Sequence, residues 1–280
     1  MRQAKSRLDV LLYRRGLVES REKARRLILA GQVLVDGQVV DKVGRQVDQD
    51  ATIEIRESLP YVGRGGLKLA KALDAFRLDV RGSVAADVGA STGGFTDCLL
   101  QRGARRVYAI DVGYGQLHWN LRRDPRVVVM ERVNARYLDS LPEPIDLVTI
   151  DVSFISLRLI LPNVARWLKP DGDVVALIKP QFEAGVEQVG KGGVVRSEQT
   201  HRQVLSSVLE WAGHQGWRLV GLVRSPIRGA KGNVEFLAHL RRDTGPMLDL
   251  AQAVEGVLAD EGVLAEWDDA DRDCPTCGDE

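Results

Sequence analysis

Between residues 84 and 178, short apolar runs alternate with helix-like stretches, and this limits the fold more than any other feature. Residues 84–88, 107–112, 127–130, 147–152 and 173–178 read as strands. Helical patterns at 96–101, 116–121, 157–168 and 199–212 separate or follow them. Such alternation predicts an α/β fold with a doubly wound, Rossmann-like parallel sheet. Sheets of that kind bind ligands beyond the C-terminal ends of their strands.

The chain has 280 residues, enough for a sizeable core in one or two domains. With 44% hydrophobic and 28% charged residues, it is not collagen, coiled coil or wholly disordered. No apolar run approaches the roughly 20 residues of a membrane helix, and residues 1–15 lack a signal-peptide core. Three cysteines cannot form a disulfide framework, so a cytoplasmic protein without membrane association is expected, a monomer as the simplest state. The net charge of zero hides an asymmetry. Residues 244–280 hold eleven acids and one base, so that tail carries −10 and the rest of the chain +10. A basic body suggests a polyanionic partner.

The first sixty residues form a small basic module. Leu8, Leu11 and Leu12 suggest a short helix ending at Gly16, and Ser20 an N-cap for a second. Ala24, Leu27 and Ile28 keep helical spacing, and Gly31 closes it. Arg21, Lys23, Arg25 and Arg26 occupy its other faces. Asp36-Gly37 between apolar pairs is a hairpin signal, and residues 52–56 alternate like a further strand. Helices that carry bases beside a small sheet suit a phosphate backbone. The run Arg7-Leu8-Asp9, then residues 16–21 and 31–37, resembles the S-four RNA-binding domain, which implies binding to structured RNA.

Residues 58–66 hold Pro60 and three glycines, a composition that predicts a flexible boundary. The strand at 84–88 then runs into Gly89-Ala90-Ser91-Thr92-Gly93-Gly94. Small residues there allow close approach of a ligand, and the next helix offers free N–H groups. Asp111 ends the second strand, where an acid typically bonds the ribose of a nucleoside cofactor. The dinucleotide pattern G-x-G-x-x-G is absent, because Ser91 stands at its second glycine. Residues 89–93 match the G-x-S-x-G of serine hydrolases, with Asp151 and His201, His214 or His239 as formal partners. That reading lacks an oxyanion glycine motif and leaves Asp87 unexplained. Residues 185–191 mimic a phosphate loop, but Gly192 replaces the magnesium-binding hydroxyl and no strand leads directly into it.

Other strand ends are chemically unusual. Asp151 and Lys179 each follow an apolar run, Glu235 lies in a late apolar strand, and Lys68 follows Arg64-Gly65-Gly66-Leu67 at a helix start. The topology brings Asp151 and Lys179 to the cofactor edge. Clustered lysines raise each other's cost of protonation, while acids between them orient the ammonium groups. A poised lysine could take a hydroxyl proton, and alignment of two reactants would supply most of the acceleration. No metal-ligand cluster is evident.

The four residues Lys68, Asp151, Lys179 and Glu235 resemble the Lys-Asp-Lys-Glu tetrad of FtsJ-like ribose 2′-O-methyltransferases. With residues 64–69, 87–96, 150–155, 179–183, 191–195 and 229–235, the chain from about 5 to 242 is similar to the TlyA (haemolysin A) family. The resemblance implies S-adenosylmethionine-dependent 2′-O-methylation of cytidine in ribosomal RNA, with ribosomal RNA or ribosomal subunits as partners. It implies a catalytic tetrad of those four residues and a cofactor site of Asp87, Gly89, Ala90, Ser91, Thr92, Gly93, Gly94 and Asp111. RNA contacts are expected at Arg7, Arg21, Lys23, Arg25, Arg26, Lys42, Arg64, Lys191 and Phe154, whose ring could stack on a flipped base or be buried as a core aromatic. Residues 59–62 depart from the family, whose linker often carries Arg and Trp. The haemolysin label raises a membrane-active alternative, disfavoured by the lack of any spanning helix or barrel repeat. A catalytically inactive assembly factor is the other, disfavoured by the intact tetrad. The expected organisation is an S-four domain at 1–58, a linker at 59–66, a methyltransferase domain at 67–243 and an acidic, disordered tail at 244–280. Cys98 is expected in the core, and Cys274 and Cys277 form at most half of a metal site.

Overall fold

A computed structural model describes residues 5–29, 31–55 and 60–260. The chain divides into two compact units, Met1–Leu59 and Pro60–Glu280.

In the first unit, β1 (Lys5–Arg7) leads into α1 (Leu8–Arg14) and α2 (Arg21–Leu29), followed by β2 (Val33–Val35), β3 (Gln38–Val39), β4 (Gln46–Asp48) and β5 (Ile53–Ile55). Ser20 Oγ accepts from the Lys23 backbone N–H, the cap expected for α2. Asp36 and Gly37 both have positive φ, 50° and 78°, which matches the two-residue turn that joins β2 to β3. Leu8, Leu12, Ala24, Ile28 and Val33 bury a core of their own.

The second unit starts with α3 (Gly65–Phe76). Strands and helices then alternate: β6 (Val84–Val88), α4 (Gly94–Gln101), β7 (Arg106–Asp111), α5 (Trp119–Arg122), β8 (Val127–Glu131), β9 (Ile145–Ile150), α6 (Leu161–Trp167) and β10 (Leu168–Ile178). Next come α7 (Pro180–Glu183), α8 (Glu198–His214), β11 (Arg218–Arg224), β12 (Phe236–Arg241) and α9 (Leu250–Ala259). The sheet order is β11-β12-β10-β9-β6-β7-β8. Pairings among β6 to β10 are parallel, and β12 is antiparallel to both its neighbours. The order reverses between β6 and β9, which makes their C-terminal ends the ligand crevice. Apolar clusters cover the two faces of the sheet; Cys98 lies in one of them, 0% exposed.

Two expectations are corrected. Residues from Pro60 on are not a free linker. Gln101 Nε2 donates to the Pro60 carbonyl at 2.8 Å, the Val62 N–H donates to Asp97 at 2.8 Å, and Tyr61 and Val62 pack on the core. Glycines permit a turn, but apolar neighbours and two hydrogen bonds fix this one. The second correction is at the C-terminus. Residues 244–259 are structured: the Leu248 N–H donates to Leu219, and α9 buries Val254 and Val257. Asp249 caps it by accepting from the Gln252 N–H at 2.8 Å. The acids from Glu261 on, with Cys274 and Cys277, lie outside the described residues. Among the described residues no helix is long and apolar enough to cross a membrane.

Candidate active site

The loop from Gly89 to Gly94 turns over the C-terminal end of β6. Gly89 has φ 84°, and a side chain there would run into the Asp151 carbonyl, so only glycine lets the loop lie against the end of β9. Asp87 supports this loop from beneath. It is 0% exposed; the Thr96 hydroxyl donates to Oδ2 at 2.7 Å and the Thr149 hydroxyl to Oδ1 at 3.2 Å. Burial pushes its carboxyl up to about 7, against the two hydroxyls and aided by Asp151. Asp87 therefore lines neither cavity described below, contrary to its expected place on the cofactor. Gly93 lines neither as well; it packs against Leu117 and Leu121.

A cleft of about 540 Å³ opens beside the loop. Gly89, Ser91, Asp111 and Asp151 supply polar edges, and Ile110, Val133, Ala135 and Ile160 supply apolar walls. Asp111 Oδ2 accepts from the Ser91 N–H at 2.8 Å and Oδ1 from the Gly113 N–H at 2.7 Å. Each oxygen keeps a lone pair for a ligand hydroxyl. Val133 and Ala135 carry no motif; they follow β8, whose end the topology brings to the same edge.

A second cavity, of about 210 Å³, lies on the other side of Gly89 and Ser91. Arg64, Lys68, Ala90, Thr92, Gly94 and Asp151 are on its wall, with residues 227–230. Asp151 faces both spaces.

The four expected tetrad residues form two ion pairs, of which Lys68 and Asp151 line this cavity while Lys179 and Glu235 line neither. Lys68 Nζ lies 2.6 Å from Glu235 Oε2, and Lys179 Nζ lies 2.6 Å from Asp151 Oδ1. Lys68 and Lys179 are each 8% exposed and Glu235 2%. Burial alone would lower the pKa of Lys68, but the Glu235 and Asp151 carboxylates outweigh it and raise the value, so this ammonium stays charged. Lys179 also donates to Ser153 Oγ at 3.0 Å. Gly229 was seen only as part of a motif, yet it has a steric reason: a side chain there would strike the Glu235 carboxylate. Neither cavity is lined by a histidine, which removes the hydrolase reading of Ser91.

The expected RNA contacts divide. Phe154 is 90% exposed, with φ 62°, and its ring lies 4.8 Å from that of Phe182; it is not a core aromatic. Arg7 and Arg21 both reach the buried Asp9, at 3.0 and 2.9 Å. Burial would raise the Asp9 pKa, but those guanidiniums outweigh it and hold the carboxyl below its usual value. Their charge is thus partly used inside the first unit. Lys23 pairs with Glu19 at 3.5 Å, whereas Arg25, Arg26 and Lys42 are exposed and form no ion pair among the described residues. Arg64 lines the second cavity; Lys191 is exposed and lines neither.

Residues 61–242 match the FtsJ-like methyltransferase family and residues 6–53 the S4 domain. "Putative rRNA methyltransferase YqxC" of Bacillus subtilis (strain 168) is 52% identical over 86% of this chain and 87% of its own length. The 16S/23S rRNA (cytidine-2′-O)-methyltransferase TlyA of Mycobacterium tuberculosis is 47% identical over 86% of this chain and 91% of its own. A solved structure titled "Putative hemolysin from Streptococcus thermophilus" superposes with a TM-score of 0.71 at 48% identity, covering 92% of this chain and 95% of that one.

Proposed function

The chain belongs to the FtsJ-like methyltransferase family and carries an S4 domain, and from that premise we propose that it methylates the 2′-hydroxyl of a cytidine in ribosomal RNA, using S-adenosylmethionine. One observation carries this reading: Asp151, paired with Lys179, stands on the wall common to a nucleoside-sized cleft and a small polar cavity.

The larger cleft suits the cofactor. Its apolar walls fit a flat base, and Asp111 keeps acceptor capacity on both oxygens for ribose hydroxyls. When bound, the cofactor supplies a methyl group on a sulfonium, a strong electrophile. The protein's own residues do the rest. The smaller cavity receives the target ribose, held by the ammonium of Lys68 and the Gly89–Thr92 backbone. Lys68 is fixed in its charged form by Glu235 and Asp151, so it orients and does not accept a proton. We assign the general-base role to Lys179: its ammonium first gives a proton to solvent, and the neutral Nζ then takes the proton of the 2′-hydroxyl, while Asp151 and Ser153 set its direction. Phe154, exposed beside the cleft, offers a face on which an extruded base can stack. Arg25, Arg26 and Lys42 offer charge for RNA phosphates. This work belongs in the cytoplasm, where ribosomes are made.

The test is purified protein, S-adenosylmethionine and ribosomal subunits, followed by mapping of 2′-O-methylated nucleotides. One new methylated cytidine is expected, absent without the cofactor. Methylation on a base, or none on RNA, would refute the reading.

A further inference from the structure

A third cavity, of about 370 Å³, lies between the segment that precedes α8 and the β11–β12 connection. Arg196, Arg224, Arg228 and Lys231 converge on it, together with Glu198 and His201. Arg228 donates to the Gly232 carbonyl at 3.0 Å and Lys231 to the Gly192 carbonyl at 2.9 Å. Those carbonyls position the cations without neutralising them. Arg196, Arg228 and Lys231 pair with no carboxylate among the described residues. Arg224 donates through Nη1 to the Asp260 carbonyl at 3.0 Å, while its Nε is shielded from solvent with no partner among the described residues. That N–H presents no surface to the cavity, so Arg196, Arg228 and Lys231 are the groups that offer charge to a bound anion. The Glu198 carboxylate on the same wall accepts from Arg202 at 3.0 Å. His201 is held neutral by burial, with Nε2 3.2 Å from the Val195 carbonyl, and adds a polar edge without charge.

We propose that this cavity binds a backbone phosphate of the RNA strand that carries the target nucleotide. The chemistry is that of guanidiniums on a tetrahedral monoanion, where charge-assisted hydrogen bonds are strongest. The location fits that strand, because Arg228 also lines the small cavity beside Lys68 and Asp151. A phosphate held here fixes the register of the neighbouring ribose against the tetrad. The inference rests on the RNA methyltransferase reading and deepens it.

The test uses the full chain and a ribosomal RNA fragment that it methylates. RNA affinity is measured across a salt series for the wild type, Arg196→Gln, Lys231→Gln and, as a remote control for lost charge, Arg81→Gln. At a fixed salt concentration, each cavity variant should bind RNA about fivefold more weakly or worse, with the slope of log K against log salt reduced by about one contact. Arg81→Gln should match the wild type, and all four should melt alike and bind S-adenosylmethionine alike. Unchanged affinity and slope in both cavity variants would overturn the proposal. Titration with inorganic phosphate separates the sources: tight phosphate binding, lost in Arg196→Gln without any change in RNA affinity, would assign the cavity to a free anion and likewise overturn it. A wild type that methylates no RNA would instead defeat the functional reading itself.

Discussion

At the scale of single residues, two lysines of equal burial meet different surroundings. Lys68 sits between Glu235 and Asp151, and its raised pKa commits it to the charged form. Lys179 has Asp151 as its acid and Ser153 as a neutral partner, and it is the residue to which we assign the proton-accepting role. Loss of a general base typically costs about a hundredfold to ten-thousandfold. Lys179→Ala should therefore lose that much single-turnover rate while its affinity for S-adenosylmethionine stays within a few-fold. Lys179→Arg should fail equally, because a guanidinium keeps its proton. Rapid-quench methylation with saturating cofactor and RNA decides this, and an arginine variant near the wild-type rate would show that Lys179 acts by charge alone.

Asp87 carries a second residue-scale prediction. Its carboxyl is raised from 3.8 to about 7 by burial, so the folded protein prefers it neutral. The unfolded chain ionises it above about pH 4, the folded chain only near pH 7. Stability from this group is thus fully present below about pH 4, falls between about pH 4 and 7, and stays low above, a swing on the order of 4 kcal/mol. Asp87→Asn cannot ionise. The difference in unfolding free energy between variant and wild type should move in the variant's favour from pH 4 to pH 8, as read by urea titration. A difference independent of pH would mean that Asp87 has an ordinary pKa in place.

At the scale of elements, the β11–β12 connection matters beyond joining two strands. Gly229 lies where any side chain would meet the Glu235 carboxylate. Gly229→Ala should displace Glu235 from Lys68 and lower kcat by about tenfold or more, since small misplacements of catalytic groups are costly. Cofactor affinity should hold, because Gly229 is not on the cofactor cleft. Steady-state kinetics with a parallel calorimetric titration separates the two effects.

The same scale explains what could be read in advance. Strands β6 to β10 were legible because each is a short apolar run between helix patterns, and the glycine loop because small residues cluster at a strand end. The pairing of Lys68 with Glu235 and of Lys179 with Asp151 is not legible from spacing, since four scattered residues become neighbours only once the sheet order is known. Helix α9 was missed although its signal was present: Asp249 as cap, then Leu250, Val254 and Val257 at helical spacing. The apolar walls Val133 and Ala135 are not legible in the sequence, because ordinary apolar residues come to line a cleft only through topology.

At the scale of the whole molecule, two units with separate cores imply separable tasks. Removal of residues 1–59 should leave S-adenosylmethionine binding within a few-fold and remove about a hundredfold or more of the activity on ribosomal RNA, with a weaker salt dependence of what binding remains. Filter binding and methyl transfer on the truncated chain test this; full activity would deny the S4 domain a part in substrate capture. A related consequence follows from Asp151, which faces the cleft and the small cavity at once. With the cofactor and the RNA in these two spaces, as we propose, a carboxylate shared by both would link their occupancies thermodynamically. Whatever factor bound RNA imposes on the cofactor's dissociation constant, the cofactor must impose on that of RNA. The affinity of either ligand is therefore a property of the pair, defined only when the concentration of the other is stated.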